Sequence, residues 1–527
     1  MHLHKIYCLH RTVPTIDNLR CAAQACRRST CFTFQWEISM SQHLSPATIH
    51  SGLKHSVIDA DGHWLEYTPV FAEKMRKAHG NKAADGFIAA MESTNETLKM
   101  TPRERDLKRV AMPGFWNRQA ENTLDRATAM MPKMLYERLD EIGSDFAIVY
   151  PTAGLRLPRI KDDETRRAVI RAYNIVTAEY FRGLEDRLTP AAIIPMHTPE
   201  EAIDELEFVT RQLGLKAGMF GSNIARPVAQ PKSGPGVESV CYDVFGIDSP
   251  YDYDAVWKKC VEVRMPPTFH SAGNSFGLRN SPSNFVYNHI GHFAAAGHAA
   301  AKGIFLGGVT RRFPELNFAF LEGGVGWGVQ LFCDLIEHWE RKGAPALKRM
   351  DPDKLDRKLL LRLVEDHGYT DIAEALKARD GWPDPEGMRL TGNRTELDDY
   401  AACKITRKED WVDLYVKPYY FGCEADDRVN ATAFGRGNPF GAQLNAIYSS
   451  DIGHFDVIDY RDPLPEAYEL VEEGYITADN FRDFVFANAV RLWGKQNPDF
   501  FKGTVVEKEA AAVLAAQLAT QELAKVA

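Results

Sequence analysis

Residues 57–66, V-I-D-A-D-G-H-W-L-E, hold the densest early set of side chains able to do chemistry. The apolar pair Val57-Ile58 predicts a buried strand, and Asp59, Asp61 and His63 come after it at a spacing of two. Side chains two apart in a strand leave on the same face, so carboxylate and imidazole would project together from one strand end. A divalent cation accepts both donors. Zinc takes imidazole nitrogen and carboxylate oxygen, and its catalytic sites keep one position open for water. An Asp-Gly pair is equally a turn signal, so the stretch gains its meaning from residues further along the chain.

Three other residues of the same kind end apolar runs. His270 closes V-R-M-P-P-T-F-H, Glu322 follows P-E-L-N-F-A-F-L, and Asp451 follows the run 444–450 in S-S-D-I-G-H-F-D. The runs belong to a longer alternation. Strands are expected at 57–63, 145–152, 188–196, 215–220, 263–270, 314–322, 413–422 and 444–450, with helical periodicity between them. The clearest helix follows strand three: Thr198 as cap, Pro199 at the first position, Glu201 three after the cap, and Gly214 at the close. Residues 221–250 lack a period and read as a long loop, a length that is uncommon without function.

Eight strands alternating with helices, with no G-x-G-x-x-G after an early strand, predict an α/β fold of the TIM-type (β/α)8 barrel class. Some 80 residues between strands six and seven exceed one crossover helix and imply an insertion there. In a barrel the site gathers at the carboxyl ends of the strands, where Asp61, His63, His270, Glu322 and Asp451 all fall. The barrel is expected over 55–502. Residues 477–493 form its closing helix, and an Ala-rich, potentially helical tail occupies 503–527.

A net charge of −9 argues against nucleic acid or an anionic membrane as the main partner. No run approaches the ~20 apolar residues of a membrane span. A small-molecule substrate and a cytoplasmic location are the expectation. Cys241, Cys260, Cys333, Cys403 and Cys423 are sparse, as in a reducing compartment. Cys8, Cys21, Cys26 and Cys31 crowd the N-terminus without metal-site spacing. The basic character of that region admits a transit peptide, and Met40 is the favoured alternative start. Residues 1–50 are expected to be a poorly ordered extension.

The motifs I-D-A-D-G-H (58–63), T-F-H (268–270), R-F-P-E-L-N-F-A-F-L-E-G-G (312–324), S-S-D-I-G-H-F-D (449–456) and N-A-V-R-L-W-G (488–494) are in order along the chain. Together they resemble the amidohydrolase superfamily. The likeness is specifically to the amidohydrolase-related branch that includes aminocarboxymuconate-semialdehyde decarboxylase and γ-resorcylate decarboxylase. The resemblance implies metal ligands at Asp61, His63, His270 and Asp451, one divalent ion (Zn²⁺ first, Mn²⁺ as the alternative), and a homodimer. Asp61 stands where many members carry histidine, a carboxylate there having precedent in the resorcylate-type enzymes. The A-H-G-G of the decarboxylases stands here as L-E-G-G, so Glu322 replaces a histidine thought to act on substrate.

The resemblance also makes Asp451 a proton acceptor; taken alone, that residue is equally a helix cap. Glu322 is a metal ligand, a general base, a partner orienting a metal-bound histidine, or part of a structural Glu-Gly-Gly turn. His289 and His292, at a spacing that would share a helix face, and His454 are pocket candidates or solvated histidines. Arg156 and Arg279 follow strands two and five, where a substrate carboxylate could be held. Trp64, Trp327 and the aromatics at 419–421 are an apolar substrate wall or core. The first expectation is a metal-dependent hydrolase of a C–N, C–O or activated C–C bond. The second is a non-oxidative decarboxylase of an aromatic or unsaturated acid, and the third an inactive binding barrel.

Overall fold

The computed structural model of the protein describes residues 44–526 apart from 115–120, 229–239, 272–279, 350–353 and 384–397. Eight parallel strands lie side by side: β1 Ile58–Trp64, β2 Phe146–Pro151, β3 Leu188–Ile194, β4 Ala217–Phe220, β5 Pro267–Phe269, β6 Phe318–Phe320, β7 Tyr419–Glu424 and β8 Asn445–Ser449. The chain continuing from β8 returns to β1. Asp451 N donates to Asp61 O (3.2 Å) and His63 N to Ile452 O (2.8 Å), which joins the last strand to the first. This is the arrangement of a TIM barrel.

The strands are buried on both faces, as their near-continuous apolar runs require. Outside them the helix Asp163–Phe181 starts on Asp162, whose carboxylate accepts from Thr165 N, and the helix Pro199–Arg211 starts on Thr198, which accepts from Glu201 N. Asn174 ties the first of these to the barrel. Its amide accepts from Ile193 N (2.9 Å) and donates to Ile193 O (3.0 Å), satisfying β3 backbone where the ladder ends.

Several local expectations change. The seventh strand runs Tyr419–Glu424, because residues 412–416 form one π-helical turn instead of extended chain. Residues 221–250 are not wholly irregular, since Ile224–Pro227 pairs antiparallel with Val240–Asp243. A further helix, Pro102–Lys108, carries a complete capping box between Thr101 and Glu104. Pro46–Gly52 is helical on a Ser45 cap, inside the region expected to be poorly ordered; Met40 and the four N-terminal cysteines lie outside the described residues. The tail is a helix, Glu507–Val526. Between β6 and β7 run the helices Gly326–Lys342, Ala344–Leu347, Arg357–Asp366 and Thr370–Ala378.

Candidate metal centre

The bulge in β1 decides how the first two candidate ligands are aimed. Pairing with β2 slips between Asp59 and Gly62, so simple alternation does not hold across the motif. Gly62 permits the slip, because a Cβ there would sit 2.6 Å from Asp59 Oδ2. Asp59 itself serves the frame. Its Oδ2 accepts from Ser450 Oγ (2.6 Å), and its Oδ1 accepts from Ser450 N (3.0 Å) and Asp61 N (3.3 Å). It thereby fixes the approach of Asp451 to Asp61.

Four side chains from three strands meet above this frame. His63 Nε2 lies 3.5 Å from Asp61 Oδ1, 3.2 Å from His270 Nε2 and 3.6 Å from Asp451 Oδ1. His270 Nε2 is 4.0 Å from Asp61 Oδ1 and 3.1 Å from Glu322 Oε2. The structure therefore brings Asp61, His63, His270, Asp451 and Glu322 together. Asp451 (φ 51°) and Glu322 (φ 58°) both occupy the left-handed region immediately after β8 and β6. That conformation is costly for a residue with a Cβ and concentrates at functional sites.

The tautomers follow from the partners. His63 Nδ1 faces Pro151 O (3.2 Å) and His270 Nδ1 faces Ser271 O (3.2 Å). A carbonyl can only accept, so both Nδ1 atoms carry the hydrogen and both Nε2 atoms present lone pairs. Burial, followed by the charges of nearby histidines, holds both imidazoles below their ordinary pKa, His270 at about 3, and neither gains a second proton. Two lone pairs at 3.2 Å do not attract each other. Nor do Asp61 Oδ1 and Glu322 Oε2, which are buried without a hydrogen-bond partner among the described residues. A cation resolves all of these at once. Tetrahedral zinc with bonds of about 2.0–2.1 Å sets two nitrogen ligands about 3.3 Å apart, so the donor set and its spacing fit a divalent ion.

The carboxyls point the same way. Burial, then Asp451, Asp59 and Glu424, pushes Asp61 well above the carboxylate range. Burial, then Asp456 and Asp59, does so for Asp451, and burial, then Asp451 and Asp61, for Glu322. Like charges crowd one another here, and a cation among them would relieve all three.

His454 belongs to this inner group more closely than a pocket-wall role implied. Its Nδ1 lies 2.6 Å from Asp451 Oδ1, its Nε2 3.3 Å from Thr152 Oγ1, and its ring covers His63 at 4.1 Å between centroids. His63, Asp451 and His454 form a second potential ligand trio beside Asp61, His63 and His270. Beneath the imidazoles, Tyr150 OH donates to Thr268 Oγ1 (2.8 Å), which donates to Gly218 O (2.8 Å), sealing the floor.

Two cavities flank the segment His289–His292. One, of about 530 Å³, is basic, with Arg109, Arg156, Arg159, His289 and His292 in its wall. The other, of about 520 Å³, is acidic and reaches the cluster through Glu322, with Glu424, Asp426 and Asp427 beside it. His289 and His292 do not share a helix face. Gly291, at φ 69°, separates the helix Phe285–His289 from His292–Leu306. His292 Nε2 lies 3.1 Å from Ser271 Oγ, linking the cavity wall to the residue after His270.

Arg156 rides on the 3-10 turn Gly154–Arg159 after β2. Glu66 holds that turn by accepting from Ala153 N (2.8 Å), Gly154 N (3.0 Å) and Tyr173 OH. Arg279 lies outside the described residues. Trp327 packs on Phe320, Phe421 and His298 and lines neither cavity, and Trp64 packs on Phe71, Tyr180 and Phe181.

Sequence reasoning missed Glu424. It ends β7, and burial followed by Asp451 and Asp456 lifts its carboxyl to about 8. The signal was the last residue of Y-Y-F-G-C-E, lost by ending the strand at Gly422.

No family model matches the chain. Among solved structures it is similar to an amidohydrolase from Mycobacterium avium subsp. paratuberculosis, at 16% identity and a TM-score of 0.46 over 84% of this chain and 100% of that one. It is similar also to a dihydroxybenzoic acid decarboxylase from a Polaromonas species with bound manganese and 2-nitroresorcinol (13%, 0.44, 85% and 99%). A third is a manganese-bound 5-carboxyvanillate decarboxylase from Novosphingobium aromaticivorans (12%, 0.44, 84% and 97%). One of these neighbours is named an amidohydrolase and two are named decarboxylases.

Proposed function

We propose that the protein is a divalent-metal-dependent enzyme that removes a carboxyl group, without oxidation, from a small organic acid, aromatic acids being the first class to test. The observation that carries this reading is the basic cavity beside the cluster of Asp61, His63, His270 and Asp451. Arg156 and Arg159 line it, and His292 connects it to Ser271. Guanidinium groups are suited to a carboxylate in a partly desolvated wall.

Asp61, His63, His270 and Asp451 would hold the ion, zinc by donor type with manganese as the alternative. When bound, the ion supplies Lewis acidity towards substrate oxygens. Arg156 and Arg159 would orient the acid. Asp451, with His454 Nδ1 at 2.6 Å behind it, would deliver a proton to the carbon from which CO₂ departs, that carbon keeping the electron pair of the broken C–C bond. The floor of Tyr150 and Thr268 excludes water from below.

Hydrolysis of a C–N, C–O or activated C–C bond is the second reading. It is favoured by one observation: Glu322 adds another buried carboxylate to the mouth, 3.1 Å from His270 Nε2. A carboxylate there repels an anionic group and can receive a proton from attacking water.

One screen separates these. Hydroxybenzoates, amides, lactones and β-diketones are supplied with Zn²⁺ or Mn²⁺, and both CO₂ and hydrolysis products are measured. Release of CO₂ from an acid supports the first reading, and hydrolysis without CO₂ replaces it with the second. A purified chain that binds far less than one divalent ion, and regains none on reconstitution, removes both and leaves a binding barrel.

A further inference from the structure

At the other end of the strands lies a cavity of about 400 Å³ that the chemistry above does not use. Its walls are Lys417, before β7, and Arg482, Arg491 and Lys495, along the closing helical stretch 478–495; the C-terminal helix contributes Val513 and Gln517. Tyr420, second in β7, and Asn445, first in β8, form its barrel side. Asn445 is fixed by donating to Val416 O (2.6 Å) and Tyr419 O (2.9 Å).

We propose that this cavity is a binding site for a small organic dianion of the phosphate-monoester type. Four cations line it, and among the described residues the carboxylates paired with them are fewer. Asp413 pairs with Lys417 (2.6 Å), while Asp483 is shared between Arg491 (3.1 Å) and Arg482 (4.0 Å). Lys495 Nζ reaches the neutral Asn317 Oδ1 at 3.3 Å. Burial and then Lys417 lower the pKa of Lys495, with Glu315 opposing. A dianion would supply the missing negative charge, and the two arginine forks suit its oxygens. The volume lies in the range of small-molecule sites, about 300–1,000 Å³. Val416, Tyr420 and Val513 offer apolar surface to a carbon body, so a monoester suits the space better than the bare ion. Such a ligand would touch both the barrel and the C-terminal helix and fasten one to the other.

The test is calorimetric titration of the full metal-loaded chain with phenyl phosphate and with inorganic phosphate at fixed ionic strength. Saturable binding of one phenyl phosphate, tighter than inorganic phosphate, is expected. Lys495→Met and Arg482→Gln should each weaken it about ten-fold without changing metal content. Lys417→Met, at an exposed position, gives the same readout with little risk to folding. Lys133→Met, at an exposed helix position that does not line the cavity, should leave the binding unchanged. Ligand should also slow proteolysis within the C-terminal helix. Absence of saturable binding, affinity undiminished in the Lys417 and Lys495 variants, or loss in the Lys133 variant would overturn the assignment.

Discussion

Two buried charged clusters in this molecule are built on opposite rules. Between the helices Asp163–Phe181 and Pro199–Arg211, Arg166 donates to Glu201 Oε1 (2.9 Å) and Oε2 (3.0 Å), Asp163 Oδ1 (2.6 Å), Ile160 O (2.8 Å) and Lys161 O (3.3 Å). Every branch of the guanidinium is engaged. At the barrel mouth, by contrast, Asp61 Oδ1 and Glu322 Oε2 have no hydrogen-bond partner among the described residues, and His63 and His270 point lone pairs at each other. A buried polar group without a partner costs about 1–3 kcal/mol, more when charged. The helix pair uses its charges for architecture, whereas the donors at the mouth leave room, on the proposed reading, for a charge that the chain itself does not supply.

Mutation can break this contrast at either pole. His270→Ala should lower turnover by about 10³-fold or more and cut bound metal, with little change in melting temperature. Wild-type turnover, or unfolding in place of metal loss, would make the mouth a structural cluster like the other. Arg166→Met leaves Glu201 buried and should destabilise by about 3–5 kcal/mol in denaturant titration, with metal per folded chain unchanged. Loss of metal in that variant would erase the distinction.

Finer changes sharpen it. Ser450→Ala removes the hydroxyl that donates to Asp59 Oδ2, and a competitive chelator should report a loss of about 10–100-fold in metal affinity with stability nearly kept. The smallest effect belongs to a surface pair that fixes only architecture. Asp145 Oδ2 accepts from Val57 N and contacts His50 Nε2, each at 2.8 Å. That hydrogen bond raises the pKa of His50 against partial burial. Because the folded pKa is the higher one, the stabilisation is complete below the unfolded value near about 6.5 and fades as pH rises through the folded value. Stability measured against pH for wild type and His50→Gln should show a difference on the acid side that vanishes on the alkaline side.

The strands were legible because a sheet covered on both faces demands unbroken apolar runs, and those runs end on the residues gathered at the barrel mouth. Asp61, His63, His270, Glu322 and Asp451 were readable for that reason. What escaped was local geometry that hydrophobicity does not encode. A π turn and a strand have similar apolar content, which misplaced β7 and hid Glu424. One left-handed glycine broke the helical phase assumed for His289 and His292. The bulge at Gly62 and the role of Asp59 depend on contacts with Ser450, 391 positions away, which no local pattern can carry.

That separation has a consequence for how the protein is made. The seam between Asp61 and Asp451 joins the first strand to the last, and the same backbone carries donors from both ends of the chain. On the proposed reading, a polypeptide emerging from the ribosome would therefore lack a complete ion site until nearly all of it had been synthesised. Loading of the proposed ion would then come at the close of biogenesis, and a chain truncated before Asp451 would leave the imidazoles of His63 and His270 without the carboxylate that lies beside them.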